Sequence, residues 1–219
     1  MLTAAEFFCE TGLAMLLHHL PDLRRPVETP GPFYLLVELA TSRKSADPKV
    51  LLAEILEQAF ESGNVVDGVV ASSAAQRAAL WQLREEMPEG QRREGPQIKH
   101  DVAVPVARLA DFVALTEPML SKILPGVRVN PFGHLGDGNV HLNLSPPPDA
   151  DFAGTEAMLS QAIYDLVVSV GGSFSAEHGL GQAKVGLADH LRSPIERHLM
   201  TALIAAVDPD ARMNPGKIV

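Results

Sequence analysis

The chain has 219 residues, 46% hydrophobic and 21% charged, with a formal net charge of −9; that size suits one large globular domain or two small ones. The acidic balance, with no basic run, argues against nucleic-acid binding as the main task, because phosphate binding needs a cationic surface. A single cysteine, Cys9, excludes an internal disulfide and a thiolate zinc cage, and no apolar stretch reaches the length of a membrane span.

In chain order, Ala4 to His19 reads as a helix stopped by Pro21. Because that pattern starts at once, the chain is expected to be a piece of something longer. No basic segment followed by an apolar one opens it, so no secretory signal is expected. A cytoplasmic location follows as the expectation, peripheral to a membrane only through partners. Phe33 to Ala40 reads as a strand, and Pro48 to Glu61 as a helix with Val50, Leu51, Ile55, Leu56 and Phe60 at helical spacing. Val65 to Ala71 reads as a strand, and Ser73 to Glu86 as a helix capped by Ser72 or Ser73. Ile98 to Val104 alternates as a strand, Val106 to Leu124 reads as a helix, and Val127 to Leu135 opens a hairpin. Phe152 to Val170 is a long helix ended by Gly171-Gly172. Ser173 to Ala176 is a short strand, and Lys184 to His190 and Ile195 to Val207 are the last helices. Hairpins mixed with helices predict an α+β domain, an antiparallel sheet with helices packed on one face.

The most informative stretch is Gly133-His-Leu-Gly-Asp-Gly-Asn-Val-His-Leu-Asn-Leu144. Asp137-Gly138 suits a two-residue hairpin turn. With the turn there, His134 faces His141 and Asn143 lies next along the same face, while Leu135, Val140, Leu142 and Leu144 form the core face. Directly opposed Cβ atoms stand roughly 5 Å apart, close enough for two imidazoles to share a metal ion. The plainer alternative is two structural histidines flanking a tight turn. Glu177, after a Gly-Gly break and near Gly179 and Gly181, is the best third ligand. Asp137 competes, but as a turn residue it is expected to hydrogen-bond its own backbone. His178, beside Glu177, is a natural general base or else a core or capping histidine. Arg84 and Lys99 are solvated surface charges unless a carboxylate is bound, which guanidinium grips bidentately.

Together the Gly133–Asn143 motif, Ala176-Glu-His-Gly-Leu-Gly181 with Lys184, and the ending Asn214-Pro-Gly-Lys217 resemble the C-terminal domain of FAD-linked oxidases of the vanillyl-alcohol oxidase superfamily. The branch is that of D-2-hydroxyglutarate dehydrogenase, D-lactate dehydrogenase and the glycolate oxidase flavoprotein subunit. Trp81-Gln-Leu-Arg84 and the Lys99 strand stand where that family has them, so the resemblance runs over 1–219. It implies a ferredoxin-like substrate-binding cap domain, with the N-terminal FAD-binding domain absent from this chain. It implies FAD as cofactor, bound mainly by that other domain or subunit, and oxidation of a small D-2-hydroxy acid to the 2-oxo acid. His134, His141 and Glu177 match the ligands of a divalent metal, commonly zinc, with manganese or iron also compatible. His178 matches the catalytic base. Arg84 and Lys99 match the residues gripping the substrate carboxylate, and Asn143 a polar residue at the substrate. Asn214 and Lys217 match a tail that returns toward the flavin. Pro88 stands where some relatives carry a hydroxyl for the far end of the substrate. An electron acceptor is needed but not named, and self-association through a face meant for the other domain is expected.

Two other readings stay open on the residues alone. One is a stand-alone metal hydrolase built on His134, His141, Glu177 and His178. The other is a non-catalytic domain that binds a flavoprotein partner. An exposed apolar patch would favour a docking domain over the hydrolase.

Overall fold

Consecutive phenylalanines, Phe7 and Phe8, belong to two different hydrophobic cores. In the computed structural model, which describes residues 2–43 and 47–219, they lie on a strand, Leu2–Cys9 (β1), whose two faces are both covered. Side chains of a strand alternate between faces. When both faces are buried, apolar residues run on without a period, and such a run cannot be told from a buried helix. The expected helix from Ala4 is therefore corrected: it begins only at Glu10 (α1, Glu10–His19), where the Cys9 Sγ accepts from the Gly12 N–H at 3.3 Å. Burial pushes the Cys9 thiol up to about 11. Met1, read as the near edge of the domain, lies outside the described residues.

The remaining elements are β2 (Phe33–Leu39), α2 (Pro48–Glu61), α3 (Ala74–Glu85), α4 (Met87–Glu94), β3 (Ile98–Ala103), a single 3-10 turn (Val106–Arg108) and α5 (Leu109–Leu120). They continue with β4 (Arg128–His134), β5 (Asn139–Ser145), α6 (Glu156–Ser169), α7 (Gly181–Leu191) and α8 (Pro194–Val207). The Ser73 hydroxyl accepts from the Gln76 N–H at 3.2 Å and starts α3. Two expected strands do not form. Val65 to Ala71 has strand composition but exposed Val66, Val69 and Val70, and it joins no strand ladder among the described residues. Ser173 to Ala176 reduces to a bridge between Ser173 and Ala103. The expected helix from Phe152 starts only at Glu156, because Ala153 (φ 52°) and Gly154 (φ 76°) are left-handed.

Among the described residues, the five strands form one antiparallel sheet in the order β2-β1-β4-β5-β3, the α+β class expected. Helices α5 and α6 cover one face, where Phe112, Leu120, Leu159 and Ile163 meet Val102, Val140, Leu142 and Leu144. Each of these side chains is fully buried and contributes roughly 1.5–3 kcal/mol. The expectation of helices on one face alone is corrected: on the opposite face, α1, α3 and α4 bring Leu13, Leu16, Leu83 and Met87 onto Phe8, Tyr34 and Phe132. That second layer leaves the ends of β4, β5 and β3 free to carry polar residues.

The hairpin register differs from expectation by two residues. His134 pairs with Asn139, Gly133 with Val140 and Phe132 with His141, around a four-residue loop, 135–138. A one-residue slip would turn every side chain to the other face; a slip of two preserves the faces. His134 and His141 thus share a face but are diagonal neighbours. Asp137 Oδ1 accepts from the Asn139 N–H at 2.9 Å, as expected of a turn aspartate. Gly138 has φ 78°, and a Cβ there would stand 1.9 Å from the Val104 carbonyl oxygen, so only glycine lets the turn lie against the end of β3.

Candidate functional site

The strand registers lay out the polar face in rows. Glu6, His134, Asn139 and Ala103 form one row across β1, β4, β5 and β3. Phe8, Phe132, His141 and Asp101 form the next, and Asn130, Asn143 and Lys99 the third. Four expected site residues, Lys99, His134, His141 and Asn143, therefore share one face. Arg84 reaches the same face from α3, and Glu177 and His178 approach it on the loop before α7.

In the first row, Glu6 is buried and serves two partners. Its Oε2 accepts from Arg84 Nε at 2.9 Å, and its Oε1 stands 2.8 Å from His134 Nδ1. Arg84 is not a solvated charge: it is 8% exposed, with its guanidinium over the Phe132 ring at 5.0 Å from the centroid. His134 Nε2 lies 3.7 Å from Glu177 Oε1, which also accepts from Asn139 Nδ2 at 2.6 Å. An open depression of about 330 Å³ lies beside this row, bounded by Ala4, Ala5, Glu6, His134, Gly136 and Asp137.

In the second row, His141 Nδ1 stands 3.5 Å from Asp101 Oδ1, and the His134 and His141 ring centroids are 6.0 Å apart. Burial holds His141 below the ordinary histidine range, against the opposing pull of the Asp101 carboxylate. Asp101 Oδ2 accepts from the N–H groups of Glu177 and His178, at 3.0 and 3.3 Å. His178 Nδ1 is 3.5 Å from the same oxygen, and its side chain is 71% exposed. Lys184 donates to the Phe174 carbonyl at 2.9 Å, which ties α7 to this loop. Burial lowers the Lys184 pKa, again opposed by Asp101.

In the third row, buried Asn143 donates through Nδ2 to Gln91 Oε1 on α4 at 2.8 Å. Lys99, opposite it, is exposed. The expected tail residues are not brought to this face by any bond. Asn214 (φ 51°) and Lys217 are exposed, and among the described residues neither side chain makes a hydrogen bond or ion pair. The tail is instead tied to α8, where Arg197 donates to the Ile218 carbonyl at 2.6 Å.

His134, His141 and Glu177 offer the nitrogen and oxygen donors that a divalent ion takes. Both histidines turn Nδ1 toward a buried carboxylate, Glu6 for His134 and Asp101 for His141, which leaves both Nε2 atoms as ligands; this is the usual support of metal-binding histidines. The chemistry of His134, His141 and Glu177 therefore fits. Their spacing is not closed: among the described residues no three His, Cys, Asp or Glu side chains converge on one metal position.

Glu6, Asp101, Asn139 and Gln91 are the parts of this site that sequence reasoning missed. Glu6 lay in the segment misread as helix. Asp101 had a usable signal, since it stands two residues from Lys99 on an alternating strand and so shares its face.

Residues 1–218 match the family model described as FAD linked oxidases, C-terminal domain. A D-2-hydroxyglutarate dehydrogenase of Stutzerimonas stutzeri (strain A1501) is 37% identical over 99% of this chain and 47% of its own length. Two mitochondrial D-2-hydroxyglutarate dehydrogenases are also similar. That of Rattus norvegicus is 36% identical over 99% of this chain and 39% of its own length. That of Arabidopsis thaliana is 32% identical over 100% of this chain and 38% of its own length. The chain thus spans less than half the length of these relatives, and the mitochondrial ones do not fit a purely cytoplasmic expectation. No described helix is long and apolar enough to cross a membrane. This chain belongs to the FAD-linked oxidase C-terminal domain family.

Proposed function

We propose that this chain is the substrate-binding portion of an FAD-dependent dehydrogenase that oxidises a D-2-hydroxy acid to the 2-oxo acid. D-2-hydroxyglutarate, the compound in its relatives' names, is the first substrate to test. The observation that carries this reading is one sheet face on which a buried arginine, two carboxylate-held histidines and an exposed Glu-His pair meet. When bound, a flavin would supply the redox chemistry and a divalent ion would supply Lewis acidity at the substrate oxygens.

The protein's own part is binding, orientation and proton transfer. Arg84 commits Nε to Glu6, leaving its terminal nitrogens as donors for the substrate carboxylate, with the Lys99 ammonium as a second positive charge. His178 accepts the C2 hydroxyl proton. Its Nδ1 faces Asp101, so Nε2 is the accepting atom, and the Asp101 carboxylate balances the charge that forms. His134 Nε2, His141 Nε2 and the Glu177 carboxylate would hold the divalent ion. For this, the half-exposed Glu177 side chain leaves its bond to Asn139. An exposed apolar stripe on α8, Ile195, Leu199, Leu203 and Val207, supports docking of an FAD-binding portion and disfavours the stand-alone hydrolase. Asn214 and Lys217, exposed in the tail that follows α8, would contact that portion.

The test combines the chain with the FAD-loaded remainder of the Stutzerimonas stutzeri relative under anaerobic conditions. Bleaching of the flavin by D-2-hydroxyglutarate or D-lactate, and not by the L forms, is the expected result. A stable complex whose flavin no D-2-hydroxy acid reduces would overturn the reading.

A further inference from the structure

We propose that Asp101 is a positioning residue: it fixes the proton of His141 on Nδ1 and holds the Glu177–His178 backbone against the sheet. The inference deepens the proposed function, since it concerns the same face, but it can be tested without turnover.

Asp101 is central to β3 and only 7% exposed. Its two oxygens have different surroundings. Oδ2 already accepts two backbone N–H groups, from Glu177 and His178, and a third backbone contact joins the Ala176 N–H to the Asp101 carbonyl at 3.3 Å. These bonds pin the Glu-His segment over β3, although that segment forms no strand of its own. Oδ1 is buried without a hydrogen-bond partner. A buried carboxylate oxygen left unpaired is costly, and His141 Nδ1, 3.5 Å away, is the donor facing it. A proton on His141 Nδ1 satisfies Oδ1 and leaves Nε2 with its lone pair. Lys184, on α7, is near enough for Asp101 to oppose the lowering of its pKa by burial. Glu6 gives His134 the same treatment one row away.

The arrangement makes Asp101→Asn a sharp probe. The asparagine oxygen, in the place of Oδ2, keeps both loop N–H bonds. Its amide nitrogen, in the place of Oδ1, donates to His141 Nδ1 and forces the ring proton onto Nε2. The experiment is nitrogen-15 NMR of the histidine rings in the full chain at about pH 8, where imidazoles are largely neutral, with amide exchange at Glu177 and His178. In the native chain His141 is expected to carry its proton on Nδ1. In Asp101→Asn it moves to Nε2, His178 is unchanged, and exchange at both amides stays within about threefold. In Asp101→Ala exchange at both amides accelerates by at least about tenfold. Zinc titration of the native and Asn chains gives a separate readout: affinity falls about 10- to 100-fold in the variant. A His141 tautomer identical in native and Asn chains would overturn the proposal. Absence of zinc binding to the native chain, with the tautomer inverted in the variant, would remove the metal from the proposed function and leave the role of Asp101 standing.

Discussion

Glu6 Oε1 and His134 Nδ1 stand 2.8 Å apart across neighbouring strands, while the other oxygen of the same carboxylate accepts from Arg84. One buried anion therefore orients a candidate ligand and a candidate substrate-binding group together. Glu6→Ala leaves the Arg84 guanidinium buried and unpaired, which costs about 3–5 kcal/mol. Urea unfolding is expected to show that loss, with much of it recovered in a Glu6→Ala/Arg84→Met double variant. Equal losses in the single and double variants would mean that the pair does not act as a unit.

His100 sets an acid limit on the fold. Burial lowers its pKa from 6.5 to about 4; Nδ1 is 3.0 Å from the Leu142 carbonyl and Nε2 is 3.1 Å from the Ser160 hydroxyl. The unfolded chain binds this proton more readily than the folded one. The contribution of His100 is thus fully present above 6.5 and is lost as pH falls toward 4, on the order of 3 kcal/mol in all. Urea midpoints at several pH values should fall more steeply in the native chain than in His100→Gln over that window. Parallel curves would contradict the assignment.

Gly138 holds the hairpin against β3. The Val104 N–H donates to its carbonyl at 2.9 Å, and a Cβ there would strike the Val104 oxygen. Gly138→Ala is expected to cost about 1–3 kcal/mol in urea unfolding and to weaken zinc binding, because both histidines ride on this hairpin. Unchanged stability would show that the turn can relax.

Much of this face was legible before the structure, and the errors have definite causes. The alternation through Val140, His141, Leu142 and Asn143 fixed which side chains share a face. The sequence predicts a turn two residues shorter than the one that forms, yet His134 and His141 keep their common side because a strand repeats every two residues. Their direct opposition did not survive, since register depends on the loop, and the four-residue loop accepts a backbone bond from Val104 that no local pattern announces. β1 was read as helix because Phe7 and Phe8 are buried on opposite faces, which erases the period. That error hid Glu6. Asp101 was overlooked because its partners, His141 and the 176–178 backbone, are distant in sequence. Val65 to Ala71 shows the reverse failure, a strand composition that joins no ladder among the described residues.

In the proposed function this face binds a D-2-hydroxy acid through Arg84 and Lys99, beside His178. The most direct measurement is NMR titration of the zinc-supplemented chain with D-2-hydroxyglutarate, observed at the backbone amides of native and Arg84→Lys chains. Shifts confined to Lys99, Asn143, His134, His141 and the Glu177–His178 loop, weakened at least about tenfold by a substitution that loses the bidentate fork, are the expected result. No saturable shifts on this face, or the same affinity in Arg84→Lys, would contradict it.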